Sequence, residues 1–202
     1  MERKKIILAT RNQDKLREIK EIINHDIFEL ISLDTFDGVP EVTEDGDTLL
    51  ANATKKAEVI FQKTGIPALA DDTGLEVDYL DGRPGVRSSR FAGEDVSYEV
   101  NNRKLLDVLK NVPWDERTAR FRTIVVFKSD KARFSTEGIC QGVIHTELKG
   151  KNGFGYDPLF YVQDKEKTLA EMKLFEKNRI SHRSIAFKKM ARILKDNAEG
   201  IF

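Results

Sequence analysis

Two adjacent carboxylates, Asp71 and Asp72, end a short apolar run from Ile66 to Ala70, and Thr73-Gly74 follows at once. Like charges side by side repel, and the end of a strand is a frequent place for chemistry. A divalent cation is the simplest relief, so the doublet reads as a metal site. It reads equally as a strand-end turn in which Asp serves as a cap. Upstream lies an acidic loop with Glu41, Glu44, Asp45 and Asp47. Such loops are usually just solvated. Their oxygens also suit Mg²⁺, which takes one or two carboxylates and leaves positions for water and phosphate. Asp45 or Asp47 also fits as the cap of the helix that follows. The residues alone do not choose among the four acids.

Three further groups carry chemistry. Thr10, Asn12 and Lys15 lie where an apolar run turns into a helical pattern. Free backbone N–H groups, a hydroxyl and a lysine there make a phosphate cradle. A helix cap followed by an exposed lysine is the commoner use of the same residues. Gly153-Phe154-Gly155-Tyr156-Asp157-Pro158 places two aromatics in a glycine-rich bend, where Phe154 or Tyr156 can stack on a planar base or anchor the loop. Lys177 precedes Ser181-His182-Arg183, in which Ser181 reads as an N-cap. Cations in the first turn of a helix oppose its dipole, which favours a task such as reading an acceptor-rich ligand. His25 and His145 have no comparable setting and read as structural or solvated.

The elements that must position these groups follow from periodicity. Ile6 to Ala9 is a buried first strand, and Leu16, Ile19, Ile22 and Ile23 repeat at helical spacing after the turn. Ile27 to Leu33 is a second strand. Thr48 to Thr64 is a helix with Leu49, Leu50, Ala53, Ala57, Ile60 and Phe61 on one face, ended by Gly65-Ile66-Pro67. Ala68 to Ala70 leads to the doublet, and Leu75 to Leu80 is another short strand. Gly82 to Gly93 reads as a loop and Tyr98 to Leu109 as a helix. Arg120 to Phe127 and Ala132 to Leu148 are long strands joined by a hairpin turn at Ser129-Asp130-Lys131. Ser181 to Leu194 is a last helix. The order is mixed α/β, with βα units first and a long hairpin later.

With 202 residues the chain can bury one full core. Lys plus Arg equals Asp plus Glu, 34 each, so no net field draws it to nucleic acid, and an anionic ligand needs a local cluster. No apolar stretch nears the roughly 20 residues of a membrane helix. The apolar run after the N-terminal charges is too short for a signal peptide, which implies the cytoplasm. The single cysteine, Cys140, excludes an internal disulfide and reads as a buried, inert thiol.

Taken together these segments resemble the inosine triphosphate pyrophosphatases, the Ham1-like family. The resemblance rests on Leu8-Ala9-Thr10-Arg11-Asn12-Gln13-Asp14-Lys15, Ala70-Asp71-Asp72-Thr73-Gly74-Leu75, the Gly153 to Pro158 segment, and Ile180-Ser181-His182-Arg183. Asn52-Ala53 with Lys56-Ala57, Pro84-Gly85, Arg90-Phe91 and Lys167 to Glu171 also fit. It spans nearly the whole chain. It implies a single domain of two lobes, an elongated mixed β-sheet flanked by helices around a nucleotide-binding cleft, and a homodimer. It implies hydrolysis of ITP, dITP and XTP to monophosphate and pyrophosphate, with Mg²⁺, or Mn²⁺ in its place. The resemblance places the phosphate loop on Thr10, Asn12 and Lys15, and the metal on Glu44 and Asp72. Asp72 is also the expected proton acceptor. Thr73, Phe154, Gly155, Tyr156, Asp157, Lys177, His182 and Arg183 fall on nucleotide contacts.

Three positions depart from the pattern. Arg11 replaces a small or polar residue and either touches phosphate or points away. Thr73 stands where the family usually has Ser. Ser184 replaces a frequent Gly, and a surface helix position is expected for it. Two rivals remain: a pyrophosphatase for pyrimidine or other modified nucleotides, and a nucleotide- or RNA-binding protein without turnover. The Glu44, Asp72 and Lys15 set argues against a pure binder, and zero net charge against broad RNA binding.

Overall fold

The computed structural model describes residues 3–23, 27–36 and 38–202; His25 lies outside them. In chain order the elements are β1 (Lys4–Leu8), α1 (Gln13–Ile22), β2 (Phe28–Ser32), α2 (Leu49–Thr64), β3 (Ala68–Val77), β4 (Pro84–Gly85), α3 (Tyr98–Val108), β5 (Thr118–Lys128), β6 (Arg133–Ile144), β7 (Phe160–Val162), β8 (Lys167–Thr168), α4 (Leu174–Ile180), α5 (His182–Asp196) and α6 (Ala198–Ile201). The strands form a mixed sheet of order β2-β1-β3-β5-β6-β7-β8, with β4 paired to β3. β1 is parallel to both β2 and β3. The mixed α/β class expected from the sequence is present.

The chain divides into two compact units: 1–72, 123–138 and 183–202 in the first, 73–122 and 139–182 in the second. In the first unit both faces of the sheet are covered. Ile6 and Leu8 join one apolar cluster with Leu16, Ile19, Phe187 and Leu194. Ile7 and Ala9 join the other with Ala53, Ala57 and Ile60. Period-two alternation sends neighbouring residues to opposite faces, and both faces are apolar, which is why β1 reads as an unbroken apolar run. The second unit packs Leu75, Leu105, Phe121, Phe160 and Leu169 into one core.

Local chemistry sets the helix ends. Asn12 caps α1, accepting from the N–H groups of Asp14 and Lys15. Thr48 caps α2 through Ala51 N, so the cap is neither Asp45 nor Asp47. Gly65 closes α2 in the left-handed region at φ 67°. The hairpin turn after β5 closes with Ser129 N donating to Ala132 O at 2.9 Å.

The expectations around β3 and β4 are corrected. Asp71 and Asp72 do not end a strand. They lie inside β3, which runs without interruption through Thr73-Gly74 to Val77 and absorbs the separate strand expected from Leu75. Gly74 is needed for close approach rather than for a turn: a Cβ there would meet the Gly85 carbonyl oxygen at 2.7 Å. The segment expected to be loop around Gly85 supplies β4, paired antiparallel with Leu75 and Glu76.

Candidate functional site

In the first unit, β1, α1, α2 and β3 bring together the charged residues singled out in the sequence. Lys15, in the first turn of α1, reaches Asp71 with Nζ 3.0 Å from the carboxylate. Asp71 is fully buried, and the Nε of Arg183 stands 3.7 Å from the same oxygen. Burial alone would push Asp71 up, but the charges of Lys15, Arg183 and Lys56 outweigh it and hold the carboxyl well below the usual range. Asp71 is therefore a permanent anion.

Asp72 behaves oppositely. Burial and then the charge of Glu44 raise its pKa, and Lys56, Lys15 and a hydrogen bond donated by the Asn52 side chain only partly offset them. Two carboxylates pushed apart in this way are chemically suited to different tasks, one as a fixed charge and the other to exchange a proton. The four acids of the loop differ in their surroundings. Glu44 accepts from Lys56 Nζ at 2.6 Å, whereas Asp45 pairs with exposed Lys55 and Glu41 and Asp47 are exposed.

Two residues that the sequence reading did not place in the site organise it. Lys56 is buried, and its Nζ also donates to the Asp71 carbonyl. Glu44, Asp71 and Asp72 together overcome the burial of its ammonium and raise its pKa. Asn52 is fully buried; its amide donates to Asp72 at 3.0 Å and its oxygen accepts from Gly46 N at 2.8 Å. Both interrupt the apolar face of α2 at i and i+4, among Leu49, Ala53, Ala57 and Ile60. A buried amide and a buried ammonium on an apolar face were the available signal.

The residues expected to cradle phosphate are in part engaged locally. The Asn12 side-chain oxygen is spent on the α1 cap, and Thr10 Oγ1 accepts from Asn12 N at 3.2 Å. Arg11 donates to Val39 O at 3.0 Å and stands 3.9 Å from Asp34. Arg183 is buried, with Nη1 on Glu18 at 2.7 Å. Ser184 is fully buried, not at the surface as expected, because the first turn of α5 is enclosed.

In the second unit, the Gly153 to Pro158 loop is tied at each point. Asp157 accepts from Phe154 N at 2.9 Å and pairs with Lys177, both side chains being buried. Gly153 has φ 71°, and a Cβ there would strike Asp157, so glycine is required. Gly155 also lies in the left-handed region at φ 61°, and its carbonyl accepts from Asn102 at 2.9 Å. The Tyr156 hydroxyl donates to Ser88 O at 2.9 Å, and burial raises its pKa. Tyr156 is thus the loop anchor. Phe154 is the half-buried ring, with Lys177 Nζ 5.1 Å from its centroid. His182 is buried and stacks on Phe121 at 4.5 Å. Thr73, on β3, is half-buried. Ser181 is the joint between α4 and α5 and closes α4 with its N–H on Lys177 O.

Among the described residues no three of His, Cys, Asp and Glu cluster as a ready metal cage. Glu44 and Asp72 offer two carboxylates, close enough for the charge of one to raise the pKa of the other. That hard-oxygen pair fits Mg²⁺ or Mn²⁺, which needs few protein ligands when phosphate and water complete its shell.

Residues 6–193 match the model of the Ham1 family. The chain is 50% identical over 191 residues to a dITP/XTP pyrophosphatase of Desulforamulus reducens, covering 94% of this chain and 95% of that one. It is 51% identical over 183 residues to a protein of the same name from Geobacter sulfurreducens, covering 90% and 92%. The solved structure of a HAM1 protein from Coxiella burnetii superposes with a TM-score of 0.87 at 38% identity, covering 96% of this chain and 99% of that one. No helix among the described residues is long and apolar enough to cross a membrane.

Proposed function

Because the chain belongs to the Ham1 family, we propose that it hydrolyses the non-canonical purine triphosphates dITP, XTP and ITP to the monophosphate and pyrophosphate. The observation that carries this reading is the near-full-length match to relatives named dITP/XTP pyrophosphatase. The charge arrangement of the first unit supports it. Lys15 neutralises the phosphate chain, and Asp71 holds the ammonium in place. Asp72, whose pKa is raised, takes a proton from the water that attacks the α-phosphorus, and pyrophosphate leaves. Asn52 fixes the rotamer of Asp72, and Lys56 balances Glu44. Glu44 and Asp72 would hold a divalent cation, Mg²⁺ or Mn²⁺, which supplies charge stabilisation on the phosphate oxygens.

The base reading rests on Phe154, His182 and Arg183. Phe154 offers a half-buried ring with a cation beside it. His182 and Arg183 donate to the 6-oxo group of hypoxanthine or xanthine, and a guanidinium has no means of accepting from the 6-amino group of adenine. Arg183, fixed by Glu18, is a donor whose orientation is set before substrate arrives. The family resemblance also supports a homodimer in the cytoplasm.

Product analysis on ITP tests the reading. Pyrophosphate plus IMP in equal amounts, lost with EDTA and restored by Mg²⁺, is expected. Release of orthophosphate would overturn it. Asp72→Asn is expected to abolish turnover, and near-normal activity in that variant would remove the assigned proton acceptor.

A further inference from the structure

Helix α3 carries two residues one turn apart, Tyr98 and Asn102, and this i, i+4 spacing puts them on one face. Both meet the Gly153 to Pro158 loop. Asn102 Nδ2 donates to the Gly155 carbonyl at 2.9 Å. The ring of Tyr98 lies 6.0 Å from that of Phe154, tilted by 42°. Tyr98 is 42% exposed, whereas Asn102 is buried.

Asn102 is costly for stability. Its Oδ1 is buried and has no hydrogen-bond partner among the described residues. The amide cannot be turned round, because Oδ1 would then face the Gly155 carbonyl. A leucine of similar volume would remove an unmet acceptor from the interior. What the asparagine provides instead is the position of Gly155, next to the stacking ring. Tyr98 provides aromatic area beside that ring and one O–H able to donate to an oxo group.

We infer that Tyr98 and Asn102 set the purine-base subsite: Tyr98 as a second aromatic contact for the base, and Asn102 as the positioning residue of the loop that carries Phe154. The inference rests on the base reading of Phe154 given above. It adds α3 to the determinants of selectivity.

Steady-state kinetics on ITP, XTP and ATP, with melting temperatures, test it in the full chain. Asn102→Leu is expected to raise KM for ITP about 5- to 10-fold, the scale of one lost hydrogen bond, and more than it lowers kcat. Its melting temperature should stay close to that of the parent, because removing the unmet Oδ1 offsets the bond lost at the Gly155 carbonyl. Tyr98→Ala, at a half-exposed site that does not threaten folding, is expected to raise KM for ITP by a similar factor, with Tyr98→Phe recovering the part due to the ring. If Tyr98→Ala leaves KM within about two-fold of the parent, Tyr98 does not contact the base. If Asn102→Leu loses activity only in step with a lowered melting temperature, Asn102 is purely structural. Phe154→Ala separates the two levels. Unchanged KM in Phe154→Ala removes the base reading itself. A raised KM there with both α3 variants unaffected removes only this inference.

Discussion

Asn52 bridges Gly46 and Asp72, accepting from the first at 2.8 Å and donating to the second at 3.0 Å. One buried amide thereby couples the acidic loop that holds Glu44 to the carboxylate assigned to proton transfer. Hydrogen bonds to charged groups contribute about 1.5–3 kcal/mol. Asn52→Ala is therefore expected to lower kcat on ITP by about 10- to 100-fold with the chain still folded. Pyrophosphate release and a melting curve on the same sample check both halves. Unchanged kcat would mean that the bond does not orient Asp72.

Lys56 opposes the upward shift of the Asp72 carboxyl. Its ammonium is the foremost influence lowering a pKa that burial and Glu44 raise. Removing it in Lys56→Met leaves burial and Glu44 less opposed, so the folded pKa of Asp72 climbs further. The base form is then reached at higher pH, and the acid limb of kcat/KM should move upward. A profile from pH 5 to 10 for parent and variant measures this. An unmoved acid limb would show that the limb reports some other group.

The candidate site was legible in the sequence where polar residues break an expected pattern in short runs. The doublet Asp71-Asp72 and the glycine-rich bend at Phe154 are of this kind. Burial then separated what spacing left joined: Glu44 from Asp45, and Phe154 from Tyr156. Asn52, Lys56 and Glu18 were harder to see. Each lies on or beside the apolar face of a helix, where residue type alone does not tell a buried polar group from one at the solvent edge until the packing of α1 or α2 is known. The continuous β3 was hidden by Asp, Thr and Gly, which disfavour strands locally; pairing with β4 and enclosure in the sheet outweigh that preference.

Cys140 gives a prediction independent of catalysis. Burial, with a further push from Asp157, moves its thiol up to about 11. The unfolded thiol ionises near ~8.5. The native state therefore keeps a proton that the unfolded chain loses. The stability this provides is present below the unfolded value and is lost as pH rises toward the folded one. At pH 8, native protein should react with a thiol reagent far more slowly than protein in urea. Equal rates would show that Cys140 is exposed.

Arg183 carries two burdens that one substitution can separate. Its guanidinium neutralises Glu18, both side chains being 2% exposed, and it stands beside Asp71. Arg183→Ala leaves a buried carboxylate without its partner, which costs about 3–5 kcal/mol. For a chain of this size that is about 6–20 °C of melting temperature. The double variant Arg183→Ala with Glu18→Ala should regain part of that loss, since no orphaned charge remains. If Arg183 also reads the 6-oxo group, neither variant recovers selectivity, and the ratio of ITP to ATP turnover falls in both. Equal losses on ITP and ATP, together with recovery in the double variant, would confine Arg183 to the ion pair and leave base reading to His182 and the Phe154 loop.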